Sequence, residues 1–255
     1  MSYETIKLRF EETVGYLDFD RTADRNAISS RMIEELGDAL CRCEASASVV
    51  VLSGGMEYFC IGADLREVDA RPIGVEADRA LPEALFDLWT RLACGTFVSV
   101  AHVRGLANAG GIGFVAACDM VLAQERAQFS LSELLFGLMP ACVWPFLLRR
   151  IGFQRSHYFT LLTQPVTAKT AHEWGLVDAI DANSEDLLRR HLLRLRRLSK
   201  AAVGRYKRYV TDLNGTPDRF RARAVAANLE AFTDPDNRAA IARYVNGGRL
   251  PWERR

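Results

Sequence analysis

Residues 108–140 read NAGGIGFVAACDMVLAQERAQFSLSELLFGLMP and contain the features that decide the fold. Two adjacent glycines, Gly110 and Gly111, precede small apolar residues with a helical pattern, and the strand-like run MVLA follows. A helix that starts at glycines leaves backbone N–H groups free to meet an anion, although this pattern alone is weak. One carboxylate, Glu133, stands in the apolar segment after that strand. The stretch predicts a helix followed by a strand, with free backbone N–H groups before the helix and the Glu133 carboxylate after the strand.

The flanking sequence predicts an α/β fold built from a repeated unit. Upstream, the runs TIKLRF and VGYLDF, a helical segment over 28–46 and the run SVVVLSG give the order β-β-α-β. Continuous apolar runs such as VVVL are typical of strands that are buried on both faces, so we expect helices to cover the sheet. A second round follows, with a helix over 82–92, the strand FVSVAHV, a glycine-rich turn, and the helix and strand quoted above.

After Gln164 the pattern becomes mainly helical, in segments that begin near residues 166, 184, 217 and 235. We therefore predict two parts, a core over residues 1–183 and a C-terminal helical segment over residues 184–255.

Composition limits the function classes. The chain has 255 residues, 49% hydrophobic and 25% charged, with a formal net charge of +1, which excludes a globally basic nucleic-acid binder. The six cysteines form no CxxC pair and the N-terminus lacks an apolar leader, so we expect a cytoplasmic protein. The longest apolar stretch is interrupted by Glu133, Pro140 and Pro145, so we expect no membrane span. The histidines lack ligand spacing, and no metal site is predicted.

Two features have competing interpretations on sequence physics alone. Glu133 among apolar neighbours is either a partly desolvated carboxylate with a raised pKa, suited to proton transfer, or an exposed acid in the first turn of a helix. The segment FCIGADL over 59–65 is either an ordinary turn or a place where Gly62 and Ala63 let a ligand approach the backbone closely.

Taken together, FCIGADL, the 108–140 stretch, RTADRNAIS over 21–29 and TAKTAHEWGLVDAI over 167–180 resemble the crotonase (enoyl-CoA hydratase/isomerase) superfamily. The resemblance covers essentially the whole chain. It implies a crotonase-like spiral of repeated ββα units and a C-terminal helical segment that mediates trimers, and we expect this chain to form a homotrimer or a hexamer.

The resemblance also implies site residues. The two backbone amides of the oxyanion hole fall on Ala63 and Gly110, and Glu133 matches the loop glutamate of hydratases. The helix glutamate of hydratases is replaced by Gly113, which puts simple enoyl-CoA hydration in doubt. Neighbouring motif positions are expected to bind the substrate, with Arg66 near the phosphate of a pantetheine arm: Gly62, Asp64, Arg66 and Gly111.

Within the superfamily, the sequence is most similar to a subgroup from polyketide β-branching. That similarity implies a dehydratase that converts 3-hydroxy-3-methylglutaryl on an acyl carrier protein to 3-methylglutaconyl, with a decarboxylase of the same family as its pathway partner. No cofactor is implied beyond the carrier's phosphopantetheine, and a coenzyme A thioester is the alternative carrier. We hypothesise that Gly113 makes room for the substrate and that Asn108 or Arg104 holds its far end, whereas His102 is interpreted as structural.

Two other functions compete with this one. The first is a crotonase-type isomerase or hydratase that acts on an acyl-CoA. The second is a non-catalytic nucleic-acid-binding protein, suggested by nine Lys or Arg residues over 189–209 but weakened by the balanced total charge. The same run also fits a patch for an acidic carrier protein, or the solvated face of one helix with Leu192, Leu193, Leu195 and Leu198 packed inward.

Overall fold

The computed structural model describes residues 3–71 and 75–253, without the side chains of residues 75–78. The strands are β1 (Ile6–Glu11), β2 (Val14–Phe19), β3 (Val49–Ser53), β4 (Tyr58–Cys60), β5 (Val98–Val103), β6 (Leu106–Asn108), β7 (Met120–Gln124), β8 (Gln128–Ser130), β9 (Val166–Thr167) and β10 (Ala179–Asp181). The helices are α1 (Ser30–Ser46), α2 (Leu65–Ala70), α3 (Val75–Cys94), α4 (Gly110–Ala117), α5 (Trp144–Leu162), α6 (Ala168–Glu173), α7 (Ser184–Leu195), α8 (Lys200–Asn214), α9 (Arg221–Thr233) and α10 (Pro235–Gly247).

The long strands form one sheet in the order β1-β2-β3-β5-β7-β10. The β1–β2 pair is antiparallel and every later pair is parallel. All residues of β3 and β5 are buried, as expected for strands covered on both faces. The main core packs α1, α3 and α4 against one face of this sheet, and α7 and α8 pack leucine and valine side chains against the other.

The short strands form a second sheet in the order β4-β6-β8-β9, in which β4, β6 and β8 run parallel. Each of these three strands follows one long strand, so the chain repeats a long strand, a short strand and then a helix or helical turn. The predicted α/β fold with a repeated ββα unit is confirmed.

The C-terminal helices pack onto the core of the same chain. Lys207 of α8 is buried, at 3% exposure, and its ammonium group lies 2.6 Å from a carboxylate oxygen of Asp119. Near the other end of the segment, Ile241 of α10 packs with Leu138 and Ala231. The boundary at residue 183, the formation of trimers and the cytoplasmic location stay predictions. Within the described residues, no helix is both long and apolar enough to cross a membrane.

The interpretation of residues 189–209 as one solvated helix face is wrong. The chain leaves the helical conformation between α7 and α8, so two helices with different faces replace the single one. Leu192 and Leu195 are buried, whereas Leu193 and Leu198 are 56% and 45% exposed. Several of the basic side chains are also engaged within the chain, since Arg190 pairs with Asp181 and Asp186, Arg196 with Glu11 and Glu12, and Lys207 with Asp119.

Candidate active site

The second sheet brings three separated parts of the sequence together. Parallel neighbouring strands end at the same edge of a sheet. Ala63 lies three residues after the end of β4, and Glu133 lies three residues after the end of β8. Gly110 lies two residues after the end of β6 and is the first residue of α4. All three residues line one cavity of about 720 Å³.

The Ala63 amide is free to meet a ligand because of a single parallel bridge. Ile28 pairs with Ala63 by donating its N–H to the Gly62 carbonyl and accepting the N–H of Asp64, at 2.8 and 2.9 Å. In such a bridge the central residue points its own N–H away from the partner. Among the described residues, the backbone hydrogen bonds of turns, loops and caps include none in which the Ala63 N–H is the donor. The amide therefore is one donor of a potential oxyanion hole.

The second donor is the Gly110 amide at the first position of α4, where a helix leaves its N–H groups without intrahelical partners. Ala109 precedes it with φ 50°, a left-handed conformation that an L-residue rarely adopts. Gly62, with φ +93°, packs directly against this turn, and a Cβ there would lie 3.1 Å from the Gly110 nitrogen. These two turns with positive φ thus hold the Ala63 and Gly110 amides next to each other.

Glu133 opens a 3₁₀ turn, Glu133–Phe136, and only part of its side chain is exposed. Its Oε2 is inaccessible to solvent and has no hydrogen-bond partner among the described residues. Burial raises the pKa of the Glu133 carboxyl to about 7, against the smaller lowering effect of the backbone amides of Glu133 and Ser132. A carboxyl with this pKa can accept and return a proton near neutral pH.

Asn108 fixes the loop that presents Glu133. Its amide accepts a hydrogen bond from Ser130 Oγ at 2.5 Å and donates to Ser132 Oγ at 2.9 Å. Asn108 therefore ties the start of the Gly110 turn to the Glu133 loop. Although the residue lines the cavity, its side-chain amide is engaged in the protein, which favours a positioning role over the predicted contact with the far end of the substrate.

The C-terminal segment supports the same loop from outside. The Asn237 side chain donates a hydrogen bond to the Gly137 carbonyl at 3.0 Å. The rings of Phe136 and Tyr244 meet edge to face with their centroids 5.2 Å apart. Phe136 and Tyr244 also line the cavity, so α10 helps both to enclose the site and to place Glu133.

The RTADRNAIS segment braces the Ala63 turn. Arg21 donates to the carboxylate of Asp64 at 3.0 Å, and Asn26 donates to the carbonyls of Tyr58 and Phe59. The other carboxylate oxygen of Asp64 accepts the Arg66 amide and caps α2. Asp64 borders the cavity, but its carboxylate is engaged in these contacts. The predicted substrate contact at Asp64 is thus replaced by a structural role.

Arg66 lies at the cavity rim with its side chain 79% exposed, in a place where a phosphate can reach it. Sequence reasoning did not find the other arginines that line this cavity, Arg25, Arg71 and Arg238. They come from distant parts of the chain, and only the docking of α10 beside α2 brings Arg238 close, where it donates to the Arg71 carbonyl at 2.6 Å. Among the described residues, no group of three or more His, Cys, Asp or Glu could hold a metal ion.

The hypothesis that Gly113 leaves open space is wrong. A Cβ on Gly113 would lie only 2.3 Å from Cζ2 and 2.5 Å from Cε2 of Trp89. The indole of Trp89 is 1% exposed and packs edge to face with Phe114 and Phe146. The vacant position is therefore filled by the protein, and Trp89 instead of Gly113 lines the cavity. Nothing in the sequence around residue 89 indicates that Trp89 lines the cavity. The glycine at position 113 was the one sequence feature that pointed to a neighbouring side chain in its place.

Other predicted site residues also lie away from the cavity wall. Arg104 follows β5 of the first sheet, where it pairs with Glu185 at 2.8 Å and donates to the Gly54 carbonyl. It lines a different cavity together with His102, so its predicted substrate contact is wrong. His102 is buried and bonds to Ser184 Oγ at 3.0 Å, in agreement with a structural role. A Cβ on Gly111 would lie 2.2 Å from the Cys60 carbonyl oxygen, so Gly111 lets α4 pack on β4, and Gly111 is not part of the cavity wall.

We predict that Gly113→Ala lowers the free energy of unfolding by about 1–3 kcal/mol, because the new methyl overlaps the rigid Trp89 ring and a well-packed core does not accommodate it. Helix propensity alone would favour alanine by about 1 kcal/mol, so the sign of the change reports the clash. The matched control is Gly37→Ala in α1, where a Cβ meets no atom within 4 Å and a gain of about 0.5–1 kcal/mol is expected. Chemical denaturation at one protein concentration measures both, and equal gains would contradict the filled position.

Comparison with known proteins gives three results. The chain matches the family model for enoyl-CoA hydratase/isomerase over residues 9–255. It is 49% identical over 254 residues to the bacillaene synthase dehydratase PksH of Bacillus subtilis (strain 168), covering 99% of this chain and 98% of the relative. It is 31% identical over 188 residues to the 2,3-dehydroadipyl-CoA hydratase of Escherichia coli (strain K12), covering 72% and 71%.

Solved structures agree with this similarity. The crystal structure of the pksH product of Bacillus subtilis, described there as an enoyl-CoA hydratase of polyketide biosynthesis, superposes with a TM-score of 0.91 at 48% identity and covers 98% of this chain and 100% of that chain. An enoyl-CoA hydratase/isomerase from Xanthobacter autotrophicus Py2 gives a TM-score of 0.88 at 27% identity, with 97% and 95% covered.

Proposed function

Because the chain belongs to the enoyl-CoA hydratase/isomerase family, we propose that it is a dehydratase that converts 3-hydroxy-3-methylglutaryl on an acyl carrier protein to 3-methylglutaconyl. The family membership confirms the resemblance and the predicted enzyme class, a carbon–oxygen lyase of the hydratase and dehydratase type. The substrate and the polyketide setting are our proposal, and the similarity to the dehydratase PksH along the whole chain supports them.

The observation that carries the proposal is the lone acid–base group beside the two amides. Glu133 has a buried Oε2 with no hydrogen-bond partner in the described part of the chain, and Gly113, the position of the second hydratase glutamate, holds no carboxylate. A hydratase that adds water to a disubstituted double bond uses two carboxylates to poise the water and deliver a proton. Loss of a tertiary hydroxyl is easier, because the extra methyl group stabilises the more substituted double bond that forms, and we infer that one carboxylate is enough.

The proposed reaction follows from this geometry. The thioester oxygen accepts hydrogen bonds from the Ala63 and Gly110 amides, which stabilise the enolate that forms when the α-proton leaves. Ionised Glu133 takes that proton. The β-hydroxyl then departs with its bonding electron pair and receives the same proton from Glu133, which returns to its ionised form. The net change is loss of one water, with both proton transfers on one face of the substrate.

The charges around the cavity suit a substrate of this kind. Arg25 and Arg66 are exposed at the rim, where a phosphopantetheine phosphate would pass. Arg71 and Arg238 are half-buried and line the same cavity. Both also donate to groups of the protein, but a guanidinium has five N–H donors, so each keeps donors for a second, distal carboxylate of the substrate. An acyl carrier protein is the proposed macromolecular partner, and a homotrimer is the proposed assembly.

Intact-protein mass spectrometry of a carrier protein loaded with 3-hydroxy-3-methylglutaryl tests the proposal. We expect the loaded carrier to lose the mass of one water, and expect Glu133→Gln to abolish that loss. The coenzyme A thioester of the same acid is the matched comparison. Absence of dehydration on both carriers would contradict the function, and a faster reaction of the coenzyme A thioester would contradict the carrier.

A second candidate is an isomerase that moves a double bond of an acyl-CoA. The same single base and two amides favour it, because an isomerase needs one group to remove and return a proton. An unsaturated acyl-CoA without a β-hydroxyl distinguishes the two functions. Rapid double-bond migration with no dehydration of the hydroxy substrate would support the isomerase.

We predict that kcat/KM for dehydration rises with pH and levels off above a midpoint near 7. Glu133 must be ionised to take the α-proton, and burial raises its pKa to about 7 in the free enzyme, the state that kcat/KM reports. Steady-state rates between pH 5 and pH 9 check this. A flat profile, or a midpoint near 4.5, would show that burial does not control the base.

A further inference from the structure

The indole N–H of Trp89 is a buried polar group that the reaction above leaves without a role. Trp89 is 1% exposed, and its Nε1 has no hydrogen-bond partner among the described residues. Buried donors normally find partners, and an exception calls for an explanation such as a ligand. The ring lines the same cavity as Ala63, Gly110 and Glu133.

The position of the ring is specific. Cε2, the atom bonded to Nε1, lies 2.5 Å from where a Cβ on Gly113 would stand. Cζ2 lies 4.0 Å from the corresponding point on Gly110, whose amide is an oxyanion donor. The indole therefore stands where a side chain at position 113 would start, on the first turns of α4. The N–H is an uncharged donor in the part of the site where hydratases carry their second carboxylate.

The chemistry of the two unpartnered atoms is complementary. Trp89 Nε1 only donates a hydrogen bond, whereas the carboxyl of Glu133 accepts when ionised and donates when protonated. A hydroxyl oxygen has two lone pairs and can accept from both groups at once. A methyl group of the substrate could form a hydrogen bond with neither Trp89 nor Glu133.

Resting on the proposed dehydration, we propose that Trp89 Nε1–H donates a hydrogen bond to the β-oxygen of the substrate as it leaves. The bond between the β-carbon and oxygen breaks with its electron pair on oxygen, and Glu133 supplies the proton that completes the water molecule. Trp89 gives up no proton; it stabilises the charge that builds on the departing oxygen and holds that oxygen beside Glu133. Gly113 is required because any side chain there would displace the indole.

Trp89→Phe tests the proposal, since it removes the N–H and keeps an aromatic ring. Two reactions are measured on the carrier protein: dehydration of the 3-hydroxy-3-methylglutaryl thioester, and exchange of the α-proton for deuterium in the 3-methylglutaryl thioester, which lacks the β-hydroxyl. We expect dehydration to fall about 10²-fold and exchange to stay within about twofold of the wild type. The control is Trp144→Phe, whose N–H already bonds to Thr160 Oγ1 at 3.0 Å, and both rates should be unchanged.

Equal losses in both reactions would overturn the proposal, because they would mean that Trp89 only shapes the site or holds the distal carboxylate that both substrates share. Unchanged dehydration would overturn it as well. If Trp89→Phe does not fold, 3-benzothienylalanine at position 89 replaces the N–H with sulfur at nearly the same shape, and the same two rates decide. A wild-type enzyme that exchanges the α-proton but does not dehydrate would instead refute the proposed function.

Discussion

Glu133→Gln is expected to lower the rate of dehydration by about 10²- to 10⁴-fold, the contribution of a positioned acid–base group. The amide keeps the size of the carboxyl group but accepts no proton at neutral pH. Both proposed proton transfers depend on this one residue, so its replacement leaves neither step with an acid–base group. Single-turnover rates on the loaded carrier measure the effect. A rate within a few-fold of the wild type would remove Glu133 from the mechanism.

Stability measurements on the same variant separate chemistry from folding. The pKa of Glu133 in the folded protein is raised above its value of 4.5 in an unfolded chain, so folding favours the neutral acid. The contribution is fully present below pH 4.5 and is lost as the pH rises through about 7. Glutamine does not titrate. Glu133→Gln should therefore gain on the order of 1–3 kcal/mol in stability relative to the wild type between pH 5 and pH 8. A variant that is inactive and also less stable at pH 8 would point to misfolding.

Gly110→Pro is expected to lower turnover by about 10²- to 10³-fold, because it deletes one donor of the oxyanion hole. Position 110 is the first residue of α4, where a helix tolerates proline and has no intrahelical use for the N–H. Thermal melting checks that the Ala109 turn, which proline restricts, survives the change.

The matched control for this prediction is Gly110→Ala, which keeps the N–H. Its Cβ would lie 2.9 Å from Cδ1 of Ile28, the flexible end of a side chain that can shift. We expect the alanine variant to retain most of the activity. Equal rates for the proline and alanine variants, with normal melting, would show that the Gly110 amide does not stabilise the enolate.

Much of the fold was accessible from the sequence because its long elements have clear periodicity. The buried runs of β3 and β5 and the apolar face of α1 predicted the first sheet and its helical cover. The second sheet was not visible from pattern, since β4, β6 and β8 are three residues long. Strands this short show no alternation that periodicity can detect. The resemblance to a family, and not the residue pattern, indicated that Ala63, Gly110 and Glu133 belong together.

The errors at the site have a common physical origin. Arg104 stands at the end of a strand close to the glycines in sequence, but β5 belongs to the first sheet and its end faces another cavity. Gly113 was interpreted as space for substrate because sequence shows that a side chain is missing and does not show what fills the gap. Only the packing of α3 against α4 places Trp89 there.

The central claim is that one carboxylate serves both ends of the elimination, and stereospecific deuterium labelling of the substrate tests it most directly. The two α-hydrogens of carrier-bound 3-hydroxy-3-methylglutaryl are labelled one at a time, and mass spectrometry of the product together with its double-bond geometry shows which hydrogen left relative to the β-hydroxyl. Glu133 acting alone requires both to leave from the same face, so syn loss is predicted. Anti loss would contradict the account, because a second acid on the opposite face would then have to protonate the departing oxygen.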